Sequence, residues 1–389
     1  MTAMFPISRF NEIETPFYYY DLNILNQTLT SLKESVDKYD NFSVHYALKA
    51  NTNSTILKTI RQAGLGADCV SGGEIQAALK AGFSSSSIVY AGVGKSDKEI
   101  ILGLENDIFA FNVESIEELQ VIESIAQTHQ KVAPICLRVN PNVDAHTHAN
   151  ITTGLSENKF GIPLELLEEA IELTVQSSHL KFLGLHFHIG SQVTDVEVFK
   201  PLCLKINQLQ EQLKNKGITI QHINVGGGLG VDYNHPEEAL VPDFDSYFKV
   251  YADNLILSEG QKVHFELGRS IVAQSGSLIA RVLYIKKGLN KQFMILDAGM
   301  TDLIRPALYD ATHAIENLTA STRPIGEKTA YDVVGPVCES SDVFAENTEL
   351  PESFRGDLIA LRSAGAYGEV MASQYNCRAL PKSFYSDIK

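Results

Sequence analysis

From about residue 43 to residue 270, short apolar, β-branched runs alternate with longer segments whose apolar positions recur at helical spacing. The runs predict strands at 43–49, 66–70, 88–91, 108–113, 135–139, 182–188, 218–225 and 263–267. Between them the pattern predicts helices at 54–62, 74–81, 97–105, 115–126, 164–175 and 199–214. Strand–helix alternation implies parallel pairing through crossover helices. A count of eight strands favours closure into a (β/α)8 TIM barrel, although periodicity alone leaves an open, doubly wound sheet as the alternative.

Beyond about residue 275 the texture changes. Strand-like runs at 277–286, 292–297, 330–337 and 357–362 follow one another with little helical period between them. The chain therefore reads as an α/β barrel over 22–275 and a β-rich domain, barrel or sandwich, over 1–21 and 276–389. The opening run Phe17-Tyr18-Tyr19-Tyr20 is placed with the second domain because it too is strand-like.

Composition narrows the class. The chain has 389 residues, 44% hydrophobic and 20% charged, too apolar for disorder and long enough for two cores. Its 32 basic against 47 acidic residues give a net charge of −15, which discourages nucleic-acid and anionic-membrane partners. No apolar run approaches the roughly 20 residues of a membrane span. The five cysteines are odd in number and contain no CxxC, so neither a disulfide framework nor a zinc knuckle is supported. Cys136 and Cys203 read as small core residues. The expectation is a soluble cytoplasmic protein.

The unusual residues fall where a barrel builds its site, at the C-terminal ends of the strands. They are Lys49, Asp68 through Glu74, Arg138 to Asn140, His186 to Ser191, Gly226 to Gly230, and Glu266 to Arg269. The glycines after strands seven and eight suit a phosphate held on backbone N–H groups, and a ligand-free tight turn would explain them as well. Lys49, in the apolar stretch YALKA, could form a Schiff base, or could simply reach to the rim. With Glu266 available to a pyridine nitrogen, the set points to pyridoxal 5'-phosphate. Of His186 and His188, one could stack on the ring and the other be a packed strand histidine. His146 and His148 lack a partner at metal-ligand spacing, so no metal is expected. In the β-rich part, RPALY (Arg305–Tyr309), CESSD (Cys338–Asp342) and AGAYG (Ala364–Gly368) suit a zwitterionic substrate, or else surface turns.

YALKAN, DCVSGGE, HFHIGSQ, NVGGGLG, ELGR, CESSD and AGAYGEVMASQYN together resemble the diaminopimelate decarboxylases, fold-type III pyridoxal-phosphate lyases with an alanine-racemase-type barrel and a β-domain. The likeness runs from about Phe17 to Arg378. It implies decarboxylation of meso-2,6-diaminopimelate to L-lysine, the last step of lysine biosynthesis. By resemblance Lys49 carries the cofactor, His188 stacks on its ring and Glu266 partners its nitrogen. Asp68, Ser191, Gly227, Gly228, Gly268, Arg269 and Tyr367 join them in the cofactor site. Arg269, Arg305, Tyr309, Glu339 and Tyr367 resemble the substrate-binding groups. Cys338 resembles a general acid supplied by the neighbouring subunit of a homodimer. Three positions depart from the family's usual pattern: ELGR for EPGR, CESSD for CESGD, and Glu369 where an aromatic often follows AYG.

Ornithine, arginine and carboxynorspermidine decarboxylases are the nearest rivals. Their substrates lack a distal amino-carboxylate, which the retained Arg305, Tyr309 and Glu339 would bind. A catalytically dead relative should lack Lys49 or Cys338, and a metal-dependent hydrolase would need a ligand set that the sequence does not assemble.

Overall fold

Parallel strands buried on both faces need continuous apolar runs, and the runs predicted above are where the strands lie. The computed structural model describes residues 5–141, 159–324 and 327–386. After β1 (Phe17–Tyr20) come β2 (Phe42–Ala47), β3 (Gly66–Cys69), β4 (Ile88–Tyr90) and β5 (Ala110–Val113). They are followed by β6 (Ala133–Arg138), β7 (Leu180–His186), β8 (His222–Asn224) and β9 (Lys262–Leu267). Strands β2 to β9 close into a parallel barrel, sealed where β2 pairs with β9 in the register Phe42↔Val263 to Tyr46↔Leu267. The open-sheet alternative is excluded.

The helices after β3, β4 and β5 begin with one local device. Ser71, Ser96 and Ser115 each precede a helix, and a glutamate stands three residues on. Ser71 Oγ accepts from the Glu74 amide and Ser115 Oγ from that of Glu118. The glutamates reach back in turn: Glu74 accepts from Val70 N at 2.7 Å, Glu118 from Glu114 N at 2.7 Å and Glu99 from Gly72 N at 2.8 Å. Each carboxylate thus fixes a loop at the C-terminal end of the barrel.

Several strand predictions run too far, and two of them bear on the site. The first strand stops at Ala47, and Leu48–Ala50 form a 3-10 turn that carries Lys49. Leu48 and Ala50 are buried while Lys49 is exposed, so the apolar stretch reflects the turn's packing and not a continued strand. Likewise β7 ends at His186, leaving His188 in the loop beyond it.

The remaining strands are β10 (Gly276–Lys287), β11 (Gln292–Leu296), β12 (Ile315–Asn317), β13 (Lys328–Val334), β14 (Val343–Pro351), β15 (Leu358–Leu361) and β16 (Lys382–Tyr385). They form a mixed sheet in the order β12-β15-β10-β11-β13-β14. β1 pairs antiparallel with β10 and parallel with β16. Phe10, Phe17, Tyr19, Ile279, Leu358 and Ala360 make a core on this sheet. By packing, the chain divides into a barrel unit, residues 29–230 and 243–268, and a sheet unit comprising 1–28, 231–242 and 269–389. Among the described residues no helix is long and apolar enough to cross a membrane.

Candidate active site

In the barrel unit the chemistry gathers around Glu266, near the end of β9. Its side chain is buried, and a buried carboxylate is costly unless hydrogen-bonded. Three side chains from three other strands supply the bonds. Asn224 Nδ2 donates to Oε1 at 2.7 Å, Asn112 Nδ2 to the same oxygen at 3.1 Å, and His186 Nε2 lies 3.1 Å from Oε2. Burial opposes ionisation, but His186 and Lys49 outweigh it and hold the carboxyl well below the usual carboxylate range. Glu266 is therefore a fixed negative charge inside the barrel.

Asp68 answers to the same field in the opposite sense. It is buried, and its pKa is raised well above the usual range by desolvation first and by Glu266 next, with Lys49 opposing. Its Oδ1 is buried with no hydrogen-bond partner among the described residues. Glu74, also within the field of Lys49, is raised by burial. The His188 ring is kept neutral by burial and then by the charges of Lys49 and Arg138.

The glycine triplet follows β8 and lies against β9. A Cβ on Gly227 would stand 1.9 Å from the Glu266 carbonyl oxygen, so only glycine lets the two segments approach this closely. Gly228 has φ +118°, in the region that favours glycine. Gly227 N donates to His188 Nδ1 at 3.3 Å. Val193 N donates to Gly228 O, and Gly230 N to Val193 O, both at 2.9 Å, which draws the Ser191 loop to the triplet. Gly268 packs on Ala47 and Ala50, beside the turn that carries Lys49.

These residues fit pyridoxal phosphate. A Cβ-free cradle offers backbone N–H groups to a phosphate, a fixed carboxylate suits a protonated ring nitrogen, and a lysine amine lies within the field of both acids. Asn112 and Asn224 were missed as functional groups, and His186, weighed only as a stacking or packed histidine, was not read as a partner of Glu266. The available signal was a polar side chain at an inward strand position, two residues or fewer from the strand's C-terminal end.

The sheet unit holds a second cluster. Arg269 and Arg305 are buried, at 8% and 5% exposure, a rare condition for arginine. Arg269 Nη1 donates to Tyr233 Oη at 2.7 Å, and its guanidinium lies 4.8 Å from the Tyr367 ring centroid. The Arg305 guanidinium lies 4.4 Å from the centroid of the Tyr233 ring and donates to His313 Nε2 at 2.7 Å. Among the described residues no carboxylate pairs with Arg305. Tyr309 ends the short helix Arg305–Tyr309 and stands within the electrostatic reach of both arginines. Tyr233 and His313 were not anticipated; Tyr233 sits far in sequence from the arginines it meets, and His313, eight residues after Arg305, lies beyond the short helix in no motif.

Cys338 and Glu339 are exposed. Glu339 Oε1 accepts from Tyr375 Oη at 2.5 Å, and among the described residues no hydrogen bond or ion pair joins it to Arg305 within the chain. Cys136 and Cys203 are buried core residues. Glu369 accepts from Tyr20 Oη at 2.6 Å and Ser383 Oγ at 2.7 Å, so it fastens β1 to the β16 segment, which accounts for a carboxylate at that position. His146 and His148 lie outside the described residues. His235, Glu237 and Glu238 have metal-ligand spacing but are fully on the surface.

Comparison with known proteins agrees with this chemistry. The family model for the pyridoxal-dependent decarboxylase, pyridoxal binding domain, matches residues 25–273. The diaminopimelate decarboxylase of Bacteroides thetaiotaomicron is 58% identical over 387 residues, covering all of this chain and 99% of the relative. That of Helicobacter pylori is 46% identical over 95% of this chain and 89% of the relative. A crystal structure of the Helicobacter pylori diaminopimelate decarboxylase complexed with L-lysine superposes with a TM-score of 0.91 at 43% identity, covering 98% of this chain and 94% of that one.

Proposed function

The chain belongs to the diaminopimelate decarboxylases, within the pyridoxal-dependent decarboxylase family, and from that premise we propose that it converts meso-2,6-diaminopimelate to L-lysine and carbon dioxide. The observation that carries the substrate assignment is Arg305, a buried guanidinium that pairs with no carboxylate among the described residues. A charge so placed is costly until an anion meets it. Diaminopimelate brings that anion on the end that does not react, whereas ornithine and arginine do not.

Bound pyridoxal phosphate supplies the electron sink that accepts the pair left behind when carbon dioxide departs. Lys49 would hold the cofactor's aldehyde carbon through Nζ. Glu266, ionised and anchored by three donors, keeps a proton on the ring nitrogen. His188, kept neutral by burial, would cover the ring face, and Asp68 would join the cofactor site. Ser191, Gly227, Gly228, Gly268, Arg269 and Tyr367 would hold the phosphate. Arg269, Arg305, Tyr309, Tyr367 and Glu339 would hold the distal amino-carboxylate. Cys338 delivers a proton to the carbon that has lost its carboxylate.

We assign the working form to a cytoplasmic homodimer in which Cys338 and Glu339 serve the neighbouring subunit's site. In this reading residues 22–275 supply the cofactor-binding domain, and 1–21 with 276–389 complete the active site and the dimer interface. The test is carbon dioxide release from meso-diaminopimelate, ornithine and arginine by the purified protein, with and without pyridoxal phosphate. Activity confined to diaminopimelate and dependent on the cofactor is expected. Lys49→Ala should lose both the absorbance of lysine-bound cofactor and activity, and Cys338→Ala should keep the cofactor and turn over slowly. Mixed and re-equilibrated, the two variants should regain about a quarter of wild-type activity, because half the dimers then carry one intact site. No recovery on mixing would overturn the shared site, and preference for ornithine would overturn the substrate.

A further inference from the structure

His313 is buried, meets Arg305 among the groups assigned above, and has no part in the chemistry just described. Its position follows from the sheet. β12 and β15 pair antiparallel with Ile315 opposite Leu361, and the ladder continues as Arg362 N donates to Ala314 O at 2.9 Å. At the next step His313 Nδ1 lies 2.7 Å from Arg362 O, so the side chain takes over where the backbone ladder ends. A carbonyl can only accept, so Nδ1 carries the hydrogen. Nε2 is then a lone-pair acceptor, and it receives Arg305 Nη1 at 2.7 Å. The tautomer is thus dictated by a backbone oxygen.

Tyr233 closes the other side. Its ring stands edge-on to His313, 5.1 Å between centroids, and lies beneath the Arg305 guanidinium. Ala314 N donates to Tyr233 O at 2.9 Å, which fixes the tyrosine to the strand that begins beside His313. Arg305 is therefore held at one nitrogen by a neutral acceptor and on one face by a ring. Neither partner carries a negative charge that would satisfy it in place of a ligand. Burial and the neighbouring Arg305 charge press the His313 pKa down to about 3, consistent with a ring that stays neutral.

We propose that His313 is a positioning and specificity residue, which aims the Arg305 guanidinium at a substrate carboxylate while leaving its charge unspent. The proposal rests on the reading of Arg305 as the distal-carboxylate group. An acidic residue in its place would neutralise Arg305; an apolar one would leave it unaimed.

The test compares His313→Gln and His313→Leu holoenzymes with wild type, using two competitors. L-lysine keeps the distal amino-carboxylate, and 1,5-diaminopentane is the same molecule without the carboxylate, its amine retained. Dissociation constants are read from the cofactor absorbance, independently of turnover, and KM and kcat are measured on meso-diaminopimelate. His313→Leu should raise the KM and the L-lysine constant about 10- to 100-fold, the scale of a lost hydrogen bond to a charged group. Its constant for 1,5-diaminopentane should stay within about twofold. Gln, with one acceptor and one donor on a single amide, should restore most of the loss. Unchanged L-lysine affinity, equal loss for both competitors, or a Gln variant as impaired as Leu would each overturn the role. Wild-type protein that holds L-lysine by this criterion but releases no carbon dioxide would overturn the reaction while leaving the role of His313 standing.

Discussion

The two ends of the barrel interior solve the same problem in opposite ways. Toward the C-terminal end of β9, Glu266 is charged and satisfied by Asn112, Asn224 and His186. Two residues earlier on the same strand, His264 lies in a chain of histidines with no charge at all. His45 Nδ1 lies 3.0 Å from Ser87 O, His45 Nε2 lies 3.0 Å from His264 Nδ1, and His264 Nε2 lies 2.9 Å from His222 Nδ1. The carbonyl fixes the first hydrogen, and each neutral ring then donates through Nδ1 to the ring before it. Phe109 packs against His45, His222 and His264. A buried polar layer can be silent when its members satisfy one another, or reactive when donors converge on one ion. In this barrel the reactive arrangement is at the end where the loops leave the strands.

Glu266→Gln tests the charged end most severely. The amide retains a place among the donors but cannot hold a proton on a ring nitrogen. Turnover should fall by about 100-fold or more, the scale of losing one preorganised electrostatic group. Cofactor should remain bound through Lys49, as its absorbance would show. Near wild-type turnover would mean that the two ends differ in polarity but not in function.

His264→Ala should do the reverse. It removes the middle of the histidine chain, leaving His45 Nε2 and His222 Nδ1 without their partner beside a new void. A stability loss of about 2–4 kcal/mol is expected, lowering Tm by roughly 2–5 °C, with kcat unchanged. Acidification separates the ends further. Burial first, and for His264 the neighbouring histidines next, depresses the pKa of His45 and His264, and burial with Lys181 and Lys262 that of His222. A depressed histidine binds fewer protons folded than unfolded below the unfolded value of about 6.5. The stability it contributes is therefore complete above that pH and is lost as pH falls through the folded values. Glu266, depressed as a carboxylate, keeps its contribution until far lower pH. Wild-type Tm should drop between pH 7 and 5, and His264→Ala should drop less steeply. Parallel slopes would show that the chain is not what titrates.

The strands that frame both ends were legible because parallel strands covered on both sides leave unbroken apolar runs, as in Ile88–Tyr90 and Ala110–Val113. Strand β14 was not, since Glu346, Asn347 and Glu349 break the run on its exposed face. Lys49, His188 and Glu266 stood out as polar residues after apolar runs, and their likeness to a known family gave them roles. Asn112 and Asn224 did not stand out, and His186 stood out without its partner, because their meaning is a convergence on one carboxylate from three strands. His313 and Tyr233 depend on the pairing of β12 with β15, which no local pattern announces. Local sequence marks the residue that is out of place; the fold alone tells what it is placed against.

The smallest expected effect concerns the loops at the charged end. Glu99 Oε1 accepts from Gly72 N at 2.8 Å, and Oε2 accepts from Ser96 N at 3.0 Å and Ser96 Oγ at 2.7 Å. The Gly72 amide, then the two Ser96 groups, lower its pKa to about 2, with burial opposing. The site is open to solvent, so the bonds are worth far less than the shift suggests. Glu99→Gln keeps one acceptor for Gly72 and loses the charge, so a cost of about 1 kcal/mol or less is expected. Its pH behaviour discriminates better than its size. A carboxylate depressed to about 2 contributes stability above its unfolded value near 4.5 and loses it only as pH falls toward 2. Between pH 7 and 5 the variant should therefore run parallel to wild type, offset by that small constant, while His264→Ala does not. A Glu99→Gln variant that flattened the same window would place the acid-sensitive element in the loops at the charged end, and the contrast between the two ends would fall.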